Sequence, residues 1–476
     1  MFRMNSLLLA MSATAAMSFS QAACAAGDTD LSELREQLRQ LKTQYEQRIS
    51  ALEQRLQQAE TALGRGGETA RSRPAAAEPS PPPAQPARSA ANAFNPAMSL
   101  ILNGTYARLS RDPAGYRING FVPTGGEVAP PERSFSLGES ELVLSASIDP
   151  NFRGRLIAAI APDNSVGVEE GYIETLGLAS GLTLKAGRFF SAVGYQNELH
   201  AHAWDFVDAP LAYKAFLGNQ FADDGVQVKW VAPTDIYLDV GLELGRGRSF
   251  PGGSAAGRSR NGAASSTLFA HVGGDIGEST AWKLGLSHLR TSPQGRSYDD
   301  ADASGTTVSN AFSGRSRLWA LGGVLKWAPN GNATLTNLKL QGEYFRRREE
   351  GSLTYDTAAA SLGTQTGSYA SRQSGWYAQG VYQFMPQWRL GYRRDRLNSG
   401  ASSLGLVDTG ALGAANFPIL EGYKPTRSTI MVDWSGSEFS RLRLQLAHDR
   451  SRNDAGDRQL FLQYIMSLGA HGAHAF

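Results

Sequence analysis

The chain has 476 residues, a formal net charge of +2 and a single cysteine. So even a charge balance excludes the basic footprint of a nucleic-acid binder, and one cysteine excludes an internal disulfide framework. Mean hydropathy is −0.30, and beyond the leader no run of about 18–20 apolar residues offers a membrane-spanning helix. A transmembrane β-barrel escapes that test, because its lipid-facing and lumen-facing residues alternate and average to mild hydrophilicity.

Residues 1–26 read as a secretory signal peptide. Arg3 supplies the positive start, Leu7 to Met17 the apolar stretch, and Ala23-Cys24-Ala25-Ala26 the small-residue cleavage zone. Two readings stand for Cys24, a lipoprotein acylation site or a residue removed with the leader. Acylation usually wants an aliphatic residue where Gln21 stands, so the second is carried forward.

Residues 27–63 are expected to form a helix. Leu31, Leu34, Leu38, Leu41, Tyr45, Ile49, Leu52, Leu56, Ala59 and Leu63 recur every three or four positions, with Glu, Gln, Arg and Lys between them. That spacing predicts a coiled coil, with a stutter where two fours run together from Leu41 through Tyr45 to Ile49. The alternative is a lone amphipathic helix lying on a surface. Residues 64–93 follow as a linker. Its stretch Arg73-Pro74-Ala75-Ala76-Ala77-Glu78-Pro79-Ser80-Pro81-Pro82-Pro83 cannot build a core and should be extended and semi-rigid.

From 94 to 476 the period changes to two. Apolar positions alternate at Leu142, Leu144, Ala146, Ile148; at Ile236, Leu238, Val240, Leu242, Leu244; at Trp282, Leu284, Leu286; and at Leu442, Leu444, Leu446. Polar residues stand between them, including Asp239, Glu243, Lys283, Arg441, Arg443 and Gln445. One apolar and one charged face suit a wall between lipid and water. Short turns at 149–151, 232–235, 328–331, 385–387 and 435–438 alternate with long polar loops at 111–133, 191–223, 246–264, 291–312, 351–371 and 398–426. Short connections on one side and long ones on the other are the plan of an outer-membrane barrel. The expected fold is therefore all-β, a transmembrane antiparallel β-barrel of about 16 strands after the N-terminal coiled coil, with 14 or 18 strands as alternatives. An even count brings both barrel ends to the periplasm, where the coil would lie.

The third long loop differs from the rest. It is poor in Gly and Ser, and with the residue before it holds Phe190, Tyr195, Trp204, Phe206, Tyr213 and Phe216. Such a segment is expected to fold into the lumen as a constriction, formed by Tyr195, His200, His202, Trp204, Asp205 and Asp208. His200, His202 and Asp205 are candidate ligands for zinc or a similar ion; the alternative is ordinary hydrogen-bonding lumen residues with no cofactor. His471 and His474 form a second histidine pair at the tail, and Asp299, Asp300 and Asp302 an acidic cluster in an external loop. If apolar residues face lipid, then Arg153, Arg155, Lys185, Lys229, Lys283, Lys339, Arg389, Arg393, Arg441 and Arg443 face the pore, against Glu141, Asp239, Glu243, Glu343 and Asp433. A modest cationic excess predicts weak anion preference. No nucleophile elbow, His-Glu-x-x-His, Walker loop or cysteine pair points to an enzyme.

Several segments carry a resemblance. Phe94-Asn95-Pro96-Ala97-Met98-Ser99-Leu100-Ile101-Leu102-Asn103-Gly104-Thr105-Tyr106, Ser136-Leu137-Gly138-Glu139-Ser140-Glu141-Leu142, Ala203-Trp204-Asp205-Phe206-Val207-Asp208-Ala209-Pro210-Leu211 and Tyr464-Ile465-Met466-Ser467-Leu468-Gly469-Ala470-His471-Gly472-Ala473-His474 are similar to a proteobacterial outer-membrane β-barrel family. The coiled-coil stretch from Tyr45 to Glu60 matches as well. Members are often labelled zinc-regulated TonB-dependent outer-membrane receptors, and in plan resemble phosphate-selective O/P-type porins. The resemblance implies a bacterial outer-membrane porin that passes small hydrophilic solutes, and pores of this size commonly form homotrimers. Residues 31–63 are expected to contribute to that order, since their apolar seam demands association. Two alternatives remain: a metal (zinc) uptake receptor, and a structural tether between outer membrane and cell wall.

Overall fold

The computed structural model describes residues 96–469, apart from 126–127, 254–260 and 455. The leader, the coiled coil, the linker, Cys24, His471 and His474 lie outside the described residues. Among those described, the chain builds a closed antiparallel barrel of 16 staves. In chain order they are β1 (Ala97–Leu109), β2 (Ser134–Leu137 and Ser140–Ser147), β3 (Phe152–Ile160), β4 (Val166–Thr175), β5 (Leu182–Phe190) and β6 (Ala222–Val231). Next come β7 (Tyr237–Gly245), β8 (Ser265–Ile276), β9 (Thr280–Thr291 and Arg296–Ala301), β10 (Thr307–Trp327) and β11 (Asn337–Tyr355). The last are β12 (Gln365–Met385), β13 (Trp388–Leu404), β14 (Thr426–Ser437), β15 (Ser440–Arg450) and β16 (Asp457–Gly469). Both pieces of β2 pair with β1, and both pieces of β9 with β10, so each counts once. The ring closes where β1 meets β16, from Ser99 opposite Gly469 to Leu109 opposite Gln459.

Alternation puts the apolar residues outside. On β15, Leu442, Leu444 and Leu446 are exposed, while Arg443, Gln445 and Ala447 are buried inside. Trp230, Trp327, Tyr382, Trp388 and Trp434 are exposed on the wall near the short turns, and on β10 to β12 Trp319, Tyr344 and Trp376 stand further up. An apolar band flanked by aromatic residues is what a hydrocarbon layer selects for.

Two expected loops are largely strand. Within 291–312 lie the second piece of β9 and the start of β10, and within 351–371 the top of β11 and the start of β12. These polar hairpins pair because their inward residues (Tyr298, Val308, Phe312, Leu353, Tyr355 and Tyr369) pack into a cluster with Leu406, Phe417 and Ile419. The alternation was present there, but polar outward residues hid it. The wall is thus uneven in height: β10 and β12 have 21 residues each, β3 and β5 nine.

Candidate functional site

Residues 191–221, between β5 and β6, run inside the barrel. A loop there meets little water, so its backbone groups need protein partners, and the wall supplies them from many staves. Glu243 on β7 accepts from the Ala192 N–H at 2.9 Å, and Glu343 on β11 from the Tyr195 N–H at 2.7 Å. Gln445 on β15 accepts from Val207 at 2.8 Å, and Asp395 on β13 from Leu211 at 2.9 Å. Arg443 donates to the Trp204 carbonyl at 2.9 Å, and Arg393 to the Asp208 carbonyl at 2.7 Å. Gly194 has φ +77°, and a Cβ there would lie 2.5 Å from the Tyr213 hydroxyl, so the turn toward Glu343 requires glycine.

The loop's α-helix, α1 (Leu211–Leu217), is wholly buried and ends on Gly218 in the left-handed conformation, whose N–H donates to the Tyr213 carbonyl. Around it Trp204, Tyr213 and Phe216 pack with Ile118 and Phe121 of the first loop and with Leu318, Phe345, Tyr377 and Leu397 of the wall. At this level the lumen is a hydrophobic core.

Two loop carboxylates face cations. Asp205 meets Lys339 at 2.9 Å and Arg389 at 3.3 Å. Asp208 meets Arg427 at 2.9 Å, Arg393 at 3.0 Å and Lys214 at 3.4 Å. Burial opposes ionisation of both, but Lys339 and Arg389 at Asp205, and Arg427, Lys214 and Arg393 at Asp208, outweigh it. Both carboxyls are held well below the usual carboxylate range.

The histidines lie elsewhere in the lumen, against β2 and β4. His202 Nδ1 is 2.8 Å from Glu141 Oε1, and His200 Nε2 is 3.1 Å from Glu170 Oε2. His200 Nδ1 is 3.3 Å from both Glu141 Oε2 and Glu169 Oε2. Neighbouring residues Glu169 and Glu170 both face inward because the β3–β4 register slips there. Ile157 pairs with Glu170 and Ala158 with Val168, leaving Glu169 as the bulged residue. Burial favours neutral His200, yet the carboxylates of Glu141, Glu169 and Glu170 around it prevail and raise its pKa well above the usual histidine value. Of the three metal candidates, Asp205 is thus occupied by Lys339 and Arg389, while His200 and His202 gather around glutamates that the sequence reading did not select as ligands. Gly167 and Gly171, flanking the pair in a strand, are the one signal that marked the bulge.

The predicted pore-lining residues fall into three groups. Arg153, Arg155, Lys185, Lys229 and Lys283 line a cavity of about 610 Å³ beside Tyr195 and His200, together with Glu170, Glu174, Glu198, Asp239 and Asp275. Five cations against five acids leave this strip near neutrality. Lys339 and Arg389 line a second cavity of about 510 Å³. Arg393 and Arg443 are fully buried, holding the loop, and Arg441 lies beside them near the Trp204 carbonyl. A third space of about 230 Å³, walled by the first loop and Lys214, shares no lining residue with either of these two cavities. Asp302 caps its own turn by accepting from Ser304 and Thr306, and Asp300 accepts from Ile419.

The chain is 30% identical over 407 residues to an uncharacterized protein of Aquifex aeolicus, covering 81% of this chain and 80% of that one. No protein-family model matches. Among solved structures, it is similar to an anion-selective porin from Comamonas acidovorans, with a TM-score of 0.48, 10% identity and coverage of 78% of this chain and 99% of that one. A loop-deleted form of OmpT from Vibrio cholerae gives a TM-score of 0.47, 12% identity and coverage of 78% and 98%. The outer-membrane channel DcaP of Acinetobacter baumannii gives 0.43, 11%, 78% and 96%.

Proposed function

The chain belongs to the same family as the Aquifex aeolicus protein, and we propose that this family member is an outer-membrane channel of porin type. The observation that carries this reading is the two-faced closed wall of 16 staves, apolar outside and charged within. Barrels of about 16 strands are wide enough for an aqueous lumen, whereas plugged transporters use about 22. Small hydrophilic solutes would pass beside loop 191–221, along the balanced strip on β3 to β9 that forms the largest of the three cavities described above. Balanced charge there argues against strong selectivity, and His200, whose pKa is raised, tips the strip slightly toward anions. In planar bilayers under a salt gradient, the purified chain should give small discrete conductance steps with a reversal potential displaced slightly toward that of the anion. A folded barrel that gives no steps would count against the channel.

The cluster at His200 favours a second role, a bound divalent metal ion such as zinc. Two donors on a tetrahedral ion of this kind lie about 3.3–3.6 Å apart, and His200 Nδ1 stands 3.3 Å from oxygens of both Glu141 and Glu169. All three atoms are buried without a hydrogen bond of good geometry. An ion here would tie the loop to β2 and β4. Isothermal titration with zinc should find one site per chain, and Glu141→Gln or His200→Ala should weaken it beyond the about 10–100-fold typical of losing an outer partner. Equal zinc uptake by wild type and both variants would remove this role.

A further inference from the structure

The outward face carries a feature that neither channel nor metal site uses. Arg290 on β9 stands directly opposite Arg317 on β10, Arg317 opposite Arg348 on β11, and Arg348 opposite Arg372 on β12. Four arginines on four successive staves thus share one register. All point outward, because the residues beside them (Leu289, Leu318, Arg347 and Gln373) are buried inside. Staves are about 4.8 Å apart, so the row spans about 14 Å.

Like charges directly opposite one another on one face of a sheet repel. Elsewhere this protein pairs its arginines closely, as at Arg393, Arg427 and Arg443, each within 3.0 Å of a carboxylate. Among the described residues, only Arg348 of the row has a carboxylate partner, Glu350. The row therefore holds more positive charge than its own wall neutralises.

Its height says what would neutralise it. Two residues down each strand the register runs His288, Trp319, Arg346, Ser374; two further down it runs Leu286, Leu321, Tyr344, Trp376. Each step is about 6.7 Å of strand. The arginines thus stand above Trp319, Tyr344 and Trp376, and the apolar wall begins two register steps, about 13 Å, beneath them. Guanidinium forks bind phosphate oxygens two at a time. A free phosphate would use only the row, whereas an amphiphile would use the row and the apolar band together.

We propose that Arg290, Arg317, Arg348 and Arg372 form a docking strip for the phosphorylated head group of an outer-leaflet glycolipid, whose acyl chains lie on the apolar wall below. The strip rests on the reading of the barrel as embedded in lipid, though not on whether it conducts.

The test uses the purified full chain in nanodiscs of phosphatidylcholine, with and without a diphosphorylated glucosamine lipid (lipid A) as probe. Native mass spectrometry should find lipid A retained on the wild type, with retention at least about tenfold weaker when all four arginines become glutamine. Inorganic phosphate at millimolar concentration should not displace it. Lipid A lacking its phosphates should fail on the wild type, an arm that stands even if the quadruple variant does not fold. Equal retention of the two lipid A forms by the wild type would overturn the strip, as would displacement by inorganic phosphate or full retention by a folded variant. Conductance of the same samples is read separately, so a silent barrel that still holds lipid A would sink the channel and leave the strip standing.

Discussion

Replacing Asp208 by Ala should detach the middle of the lumen loop and cost about 3–5 kcal/mol of stability, because it leaves buried cations uncompensated. Arg393 and Arg427 have almost no exposed surface, and Lys214 is buried on α1. The Asp208→Asn variant keeps the shape and removes the charge, so it should fall between wild type and Ala. Acid alone should not reproduce the effect. The folded carboxyl is held below its unfolded value of about 3.9, so its contribution is fully present above that value and is lost only as pH falls through the lower folded one. At pH 4 the wild type should keep the chemical denaturation midpoint it has at pH 7, as far as this latch sets it, while Asp208→Ala should be lower at both. A variant as stable as wild type would mean the loop is held by its apolar packing alone.

Excising residues 196–217 and bridging the gap with a short Gly-Ser link should raise single-channel conductance several-fold. The excised segment carries α1 and Trp204, which fill the core of the lumen, and a barrel of 16 strands without them has an aqueous interior. The staves do not need the segment for hydrogen bonding, since every stave pairs on both sides. The variant should remain heat-modifiable on gels. Conductance equal to wild type from a folded variant would place the solute path elsewhere.

Much of the wall could be read from period-two alternation alone. The strand number follows from that alternation and from short turns alternating with long loops, and these are local signals. What could not be read depends on register between strands. The run Arg346-Arg347-Arg348 looks like one basic patch, yet parity sends Arg347 into the lumen, where it donates to the Ala215 carbonyl, and the other two outward. The alignment of Arg290, Arg317, Arg348 and Arg372 exists only once four strands are paired. Glu169 beside Glu170 would face opposite ways in a regular strand, and only the bulge turns both toward His200. The anchors Asp395 and Arg427 lie some two hundred residues from the loop segment they hold, and nothing in either neighbourhood announces the other.

The position of the lumen loop also bears on how the barrel is assembled. The seam where Leu109 meets Gln459 joins the most distant parts of the strand sequence, so it carries the largest loop-closure entropy and should zip last. The loop touches Glu141 and Glu170 near the beginning of the barrel and Arg393, Arg427 and Gln445 near its end. Docked before the seam closes, it draws the two halves of the open sheet around itself and shortens the search each edge must make for the other. The segment that narrows the finished passage is in that sense also a mandrel, over which the sheet is rolled.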